Sequence, residues 1–154
     1  MSDLLVRLYD LPAREPALPK GVVVRRALAP ERRQVIEWVE QTFHSRWASE
    51  CEFAFSAHPV TTWIATKADR VVGFACHDTI AKGFFGPTGV DEAERGQGIG
   101  ELLLMATLRG MREAGYAYAI IGWPGPVEFY KKRTNAIEIP DSTPGAYRGL
   151  LPRE

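Results

Sequence analysis

The sequence predicts a mixed α/β domain: a central, mostly antiparallel sheet with two parallel central strands and helices on both faces. Three observations support this. Residues 83–121 run strand, glycine turn, long apolar helix, strand. A helix of that length carries the chain across the sheet and back, parallel to the first strand and with right-handed chirality. Residues 61–80 read as a hairpin, two β-rich runs joined by Lys67-Ala68-Asp69. The composition is that of one globular domain, with 154 residues, 45% hydrophobic and 25% charged, enough for a single sizeable core.

Along the chain, residues 1–20 read as an N-terminal extension. Leu4, Val6 and Leu8 alternate as a short edge strand, and Pro12, Pro16 and Pro19 mark a linker. The domain proper spans 21–154. Val22 to Leu28 is a β-branched strand. Pro30 suits a helix start, and Val35, Ile36, Val39 and Phe43 follow at helical spacing. His44 to Ala57 fits either a short helix or an ordered loop. Thr61–Thr66 and Arg70–Ile80 form the hairpin. In strict alternation His77 shares a face with Val71, Gly73 and Ala75, and Asp78 shares the other with Val72, Phe74 and Cys76. Gly83–Val90 is the next strand. Ile99 to about Ala114 is a largely buried helix, with Gly115 at its end. Tyr116–Ile121, apolar at nearly every position, reads as a strand covered on both faces. Pro124-Gly125-Pro126 opens a short helix, Val127–Arg133. Ala136–Ile139 is a last strand, followed by a turn-rich tail.

Charge narrows the function. Lys plus Arg equals Asp plus Glu at 19 each, giving zero formal net charge. Without a basic excess or stripe, nucleic acid is not an expected partner. No apolar run approaches the roughly 20 residues that span a bilayer, so no membrane span is expected. The start, MSDLLVRLYDLPAREP, is too charged and too broken by proline for a signal peptide. Cys51 and Cys76 form no metal-type pair. They read as free thiols in a cytoplasmic protein, and no metal is implied.

The chemical signal is Arg95-Gly96-Gln97-Gly98-Ile99-Gly100. Its glycines let the backbone turn tightly and aim several N–H groups into one concavity. These are the first-turn donors of the following helix, which have no intrahelical partner. They form an anion site, and Arg95 adds a charge-assisted contact. The spacing does not fit the dinucleotide fingerprint G-x-G-x-x-G. Glu101-Leu102 replace the Lys-Ser/Thr of a Walker loop.

The stretch from Val90 to Gly100 resembles the central motif of the GNAT superfamily of acyl-CoA N-acyltransferases, with Arg95, Gly98 and Gly100 at its defining positions. Matching elements run from about Val22 to Ile139. The resemblance implies an acetyl-CoA-dependent N-acetyltransferase domain over 21–154. Thr88, Gly89 and Val90 would pair with the pantetheine arm, and Arg95, Gly96, Gln97, Gly98, Ile99 and Gly100 would hold the pyrophosphate. The thioester would lie in a splayed gap between the two parallel strands, with an oxyanion held by an N–H near Val90. Glu128-Phe129-Tyr130-Lys131-Lys132 resembles the family's aromatic-Tyr-x-Lys motif, which makes Tyr130 the general acid for the departing thiolate. A phenol of pKa about 10 can protonate a thiolate within hydrogen-bond reach. Two positions depart from the family pattern: Trp123 stands where Asn is usual, and Asn135-Ala136 where Gly-Phe is.

The acceptor is an amine on a small molecule or peptide. Phe84-Phe85-Gly86 lacks the Glu that some members use as base. His77, Asp78, Glu128, Glu50, Glu52 or a water are the candidates. Trp47, Phe53, Phe55 and Trp123 either wall the acceptor pocket or belong to the core. His44 and His58 read as surface or satisfied residues. A sheet edge left short at the C-terminus admits a homodimer. A binding module that keeps acetyl-CoA without efficient chemistry, acting as a sensor or interaction partner, is the alternative. A nucleotide-binding protein is a third reading.

Overall fold

The computed structural model describes residues 1–13 and 15–153. Arg14, in the expected extension, and Glu154, at the end of the expected domain, lie outside the described residues. Seven strands form one sheet: β1 (Leu4–Arg7), β2 (Val22–Arg26), β3 (Thr62–Lys67), β4 (Arg70–His77), β5 (Phe84–Val90), β6 (Tyr118–Ile121) and β7 (Ile137–Glu138). Their spatial order is β2-β3-β4-β5-β6-β1-β7. Every pairing is antiparallel except β5 with β6. Four helices complete the fold: α1 (Arg32–Thr42), α2 (Ser45–Phe55), α3 (Ile99–Glu113) and α4 (Val127–Thr134).

The core has two layers, one on each face of the sheet. On one face α1 and α2 bury Val35, Val39, Cys51, Ala54 and Phe55 against Ile64, Phe74 and Cys76. On the other, α3 buries Ile99, Leu103, Leu108 and Met111 against Val72, Ala75, Ala119 and Ile121. The segment His44 to Ala57 resolves as helix α2, begun by an N-cap at His44, whose Nδ1 accepts from the Trp47 N–H. The β3–β4 turn places Ala68 at φ 50° and Asp69 at φ 60°, the left-handed pair of a type I′ hairpin.

Three expectations are corrected. The N-terminal strand is not an edge strand. β1 pairs with β6 along Leu4–Arg7 and is covered on its other side by β7, and Leu4, Val6 and Leu8 are fully buried in the α3 layer. Strict alternation along β4 fails because the register against β3 slips between Ala65 and Thr66. This bulge puts Val72 with Ala75 in the α3 layer and Val71 beside the α1–α2 layer. β6 is covered on one face only: Ala119 and Ile121 are buried, while Tyr118 is 47% exposed.

Candidate active site

The parallel strands β5 and β6 pair only at Phe84–Ile120 and Phe85–Ile121. Beyond Phe85 they part, because β6 ends at Ile121 while β5 continues to Val90. The Asp91 N–H donates to the Val72 carbonyl at 2.8 Å. Antiparallel alternation therefore turns the N–H and C=O groups of Val90 and Thr88 away from β4, toward the gap. Between them Gly89 is held by close packing, since a Cβ there would sit 2.4 Å from Phe43 Cζ.

β5 leads into the exposed glycine turn. Gly96 and Gly98 adopt φ of 82° and 84°, a left-handed backbone that costs a side-chain-bearing residue about 1–2 kcal/mol. The first bond inside α3 runs from Leu102 N–H to the Gly98 carbonyl. The N–H groups of Ile99 and Gly100 precede it and have no intrahelical partner. Arg95 Nε donates to the Val90 carbonyl at 3.2 Å, and Gln97 Nε2 braces the turn against the Glu94 carboxylate at 3.0 Å. The concavity this makes, with the positive end of the α3 dipole, fits a phosphate.

At the parting of β5 and β6 opens a cavity of about 370 Å³. Tyr130 lines it from α4, which packs on α3 through the Arg133–Glu101 pair at 3.5 Å. Tyr130 is 5% exposed, edge-on to Phe85 at 6.1 Å and to Phe129 at 5.2 Å. Burial pushes its phenol up to about 12, above the ordinary value assumed from sequence. A phenol so raised keeps its proton and presents a neutral donor to the cavity.

The candidate bases separate cleanly. Glu50 lines the cavity from α2. It accepts from the Thr79 hydroxyl at 2.8 Å, and burial raises its carboxyl above the ordinary range. Asp78 is committed to structure: it accepts from Gly83 N–H at 2.7 Å and from the Tyr116 hydroxyl at 2.8 Å. His77 is buried outside the cavity with Nδ1 on Asp78 at 2.7 Å, and burial lowers its pKa. Glu128 is exposed on α4. Glu52 is exposed and paired with Arg32 at 3.3 Å.

The aromatic set divides as well. Trp47 and Trp123 line the cavity. Phe55 is core, and Phe53 points outward at 60% exposure. Trp123 sits at φ 45° and stacks on Tyr147 at 4.0 Å. Cys76 is a core residue whose thiol burial pushes up, bonded to Thr62 Oγ1 at 3.3 Å.

Among the lining residues that sequence reasoning did not bring to the cavity, four carry polar side chains: His44, Arg46, Tyr147 and Arg153. Arg46 and His44 fall in the segment whose structure was open. Tyr147 and Arg153 lie in the tail, whose turn composition carries no sign that it folds back. It returns because Asp3 in the N-terminal segment receives it. Asp3 N–H donates to Ser142 Oγ at 2.8 Å, and Ile139 N–H donates to the Asp3 carbonyl at 2.9 Å.

A family model described as "Acetyltransferase (GNAT) family" matches residues 30–133. No curated protein matches the sequence. Among solved structures, the chain is similar to a fungal multi-domain GH3 β-N-acetylglucosaminidase containing a GCN5-related glucosamine N-acetyltransferase region. That match has a TM-score of 0.74 and 16% identity over 90% of this chain and 19% of that one. It is also similar to a GCN5-related N-acetyltransferase from Sphaerobacter thermophilus, with a TM-score of 0.69 and 22% identity over 90% of this chain and 48% of that one. A third is a GNAT family acetyltransferase from Brucella melitensis in complex with acetyl-CoA, with a TM-score of 0.59 and 20% identity over 72% of this chain and 80% of that one. This chain thus spans less than half the length of the first two structures, and at these identities the likeness is one of fold.

Proposed function

This chain belongs to the acetyltransferase (GNAT) family, and we propose that it transfers the acetyl group of acetyl-CoA to an amine by direct attack. The observation that carries this reading is the parting of β5 and β6 beyond Phe85–Ile121, with Tyr130 and Glu50 lining the cavity that opens there. Acetyl-CoA supplies an acyl group already activated as a thioester.

The protein's part is positioning and proton movement. The N–H groups at the start of α3, with Arg95, hold the pyrophosphate. The outward-turned backbone of Thr88 and Val90 pairs with the pantetheine arm in the manner of an added strand. The Val90 N–H faces the position where carbonyl oxygen gains charge. Glu50, its carboxyl raised by burial, takes the proton from the attacking ammonium or amine. Tyr130 gives its hydroxyl proton to the departing sulfur.

Titration calorimetry with acetyl-CoA and a thiol-release assay over a panel of primary amines test the reading together. Binding accompanied by amine-dependent thiol release is the expected result. Binding without release from any amine would instead favour a coenzyme-binding module.

A further inference from the structure

We infer that the acceptor is a small amine carrying an anionic oxygen group, a carboxylate or a phosphate, with its amine at Glu50 and its anion at a wall made by His44, Arg46 and Arg153. This rests on the acetyltransferase reading of the same cavity and concerns what enters it.

Arg46 and Glu50 are four residues apart on α2, so they share one face, roughly 6 Å apart along its axis. Both line the cavity. Each has its own partner: Glu50 accepts from Thr79 Oγ1 at 2.8 Å, and Arg46 donates to the Leu151 carbonyl. The returning tail adds Arg153 to the same lining. His44 stands with them. Burial, reinforced by the charges of Arg153 and Arg46, lowers its pKa, so its ring is neutral. With Nδ1 accepting from the Trp47 N–H at 3.4 Å, the proton sits on Nε2, a donor.

One end of the cavity therefore presents two guanidinium groups and an imidazole N–H, all donors. Glu50 is the sole carboxylate among the described residues that line it. Opposite charges fixed on one helix face select a ligand with both charges at matching separation. An arginine fork accepts carboxylate and phosphate alike. The stacked Trp123 and Tyr147 rings give the acceptor's carbon skeleton an apolar surface. About 370 Å³ is the scale of a metabolite.

Thiol release with acetyl-CoA over matched amine pairs tests this: β-alanine and β-alaninamide, phenylalanine and phenylalaninamide, O-phosphoethanolamine and ethanolamine. The anionic member of at least one pair is expected to have a kcat/KM about tenfold or more above its neutral partner, and the pair concerned identifies the anion. Arg46→Gln and Arg153→Gln should each shrink that preference through KM rather than kcat. Arg153 is exposed, so its replacement leaves the fold intact. Equal or better turnover of the neutral members overturns the inference, as does a preference that survives both substitutions. A loss of acetyl-CoA affinity in both variants that accounts for their effect also overturns it, because the cluster would then serve the coenzyme. If no amine is acetylated while acetyl-CoA binds, the transferase reading fails by itself. Calorimetry of the same pairs against the CoA complex then decides: tighter binding of anionic members sustains the inference, and equal binding overturns it.

Discussion

In the proposed mechanism Tyr130, buried, and Glu50, half-buried, have opposite tasks, and removal from water shifts both upward. A phenol held at about 12 keeps its proton across the working pH range, so Tyr130 contributes no alkaline limb to the pH–rate profile there. Tyr130→Phe keeps the ring contacts with Phe85 and Phe129 but removes the donor. It should lower kcat by about 100-fold with acetyl-CoA affinity nearly unchanged in calorimetry; an unchanged kcat would remove the acid assignment. Glu50 must be ionised to act, and burial raises its carboxyl, so activity should fall on acidification at a pH above the ordinary glutamate range. Glu50→Gln should abolish that limb. Its effect on stability has the opposite sign. A raised carboxyl favours the folded state below the ordinary glutamate value, and that contribution is lost as pH rises through the raised value. Glu50→Gln should therefore unfold at a higher temperature than the parent at about pH 8, with the difference vanishing near about pH 3. Thermal scans at both values check this.

At the scale of elements, the glycine turn and α3 form the part most legible in the sequence. Their signals are local: left-handed glycines, apolar helical periodicity and a β-rich run on each side. Gly98→Ala sets a side chain at φ 84°, costing about 1–2 kcal/mol. Calorimetry should show acetyl-CoA affinity reduced by about tenfold, with melting lowered by roughly 2–8 °C. Gly100→Ala is the contrast, since its Cβ would lie 3.8 Å from Val90 Cγ2 at an ordinary helical position. It should leave stability nearly unchanged. Less legible were features set by long-range contacts. The bulge in β4 depends on its pairing with β3, so alternation read from one strand misassigned Val71 and Val72. The open face of β6 depends on which elements fail to reach it. Four apolar residues in a row cannot report that. Glu50 was one of five candidate side chains in the sequence, four of them acids. Only the packing of α2 over the mouth of the gap, with Thr79 beside it, separates it from Glu52 two residues on.

For the whole molecule, the two chain ends hold the site together. β1 completes the sheet beside β6, and Asp3 anchors the tail that brings Tyr147 and Arg153 to the cavity. The proline-marked linker and the turn-rich tail show no strong periodicity in the sequence, so neither signals where it packs. Leu8→Ala removes a fully buried side chain and should cost about 3 kcal/mol, or roughly 10 °C in melting temperature. A variant whose melting is unaffected would contradict the place of the N-terminal strand in the core. In the proposed reading, one gap between β5 and β6 receives the coenzyme with its thioester beside Tyr130 and Glu50. The most direct test is a crystal structure with acetyl-CoA. The expected result places the pyrophosphate on the N–H groups of Gly98 to Gly100, the pantetheine arm along Thr88 to Val90, and the sulfur within hydrogen-bond reach of the Tyr130 hydroxyl. A coenzyme bound outside the gap, or a sulfur remote from Tyr130, would contradict it.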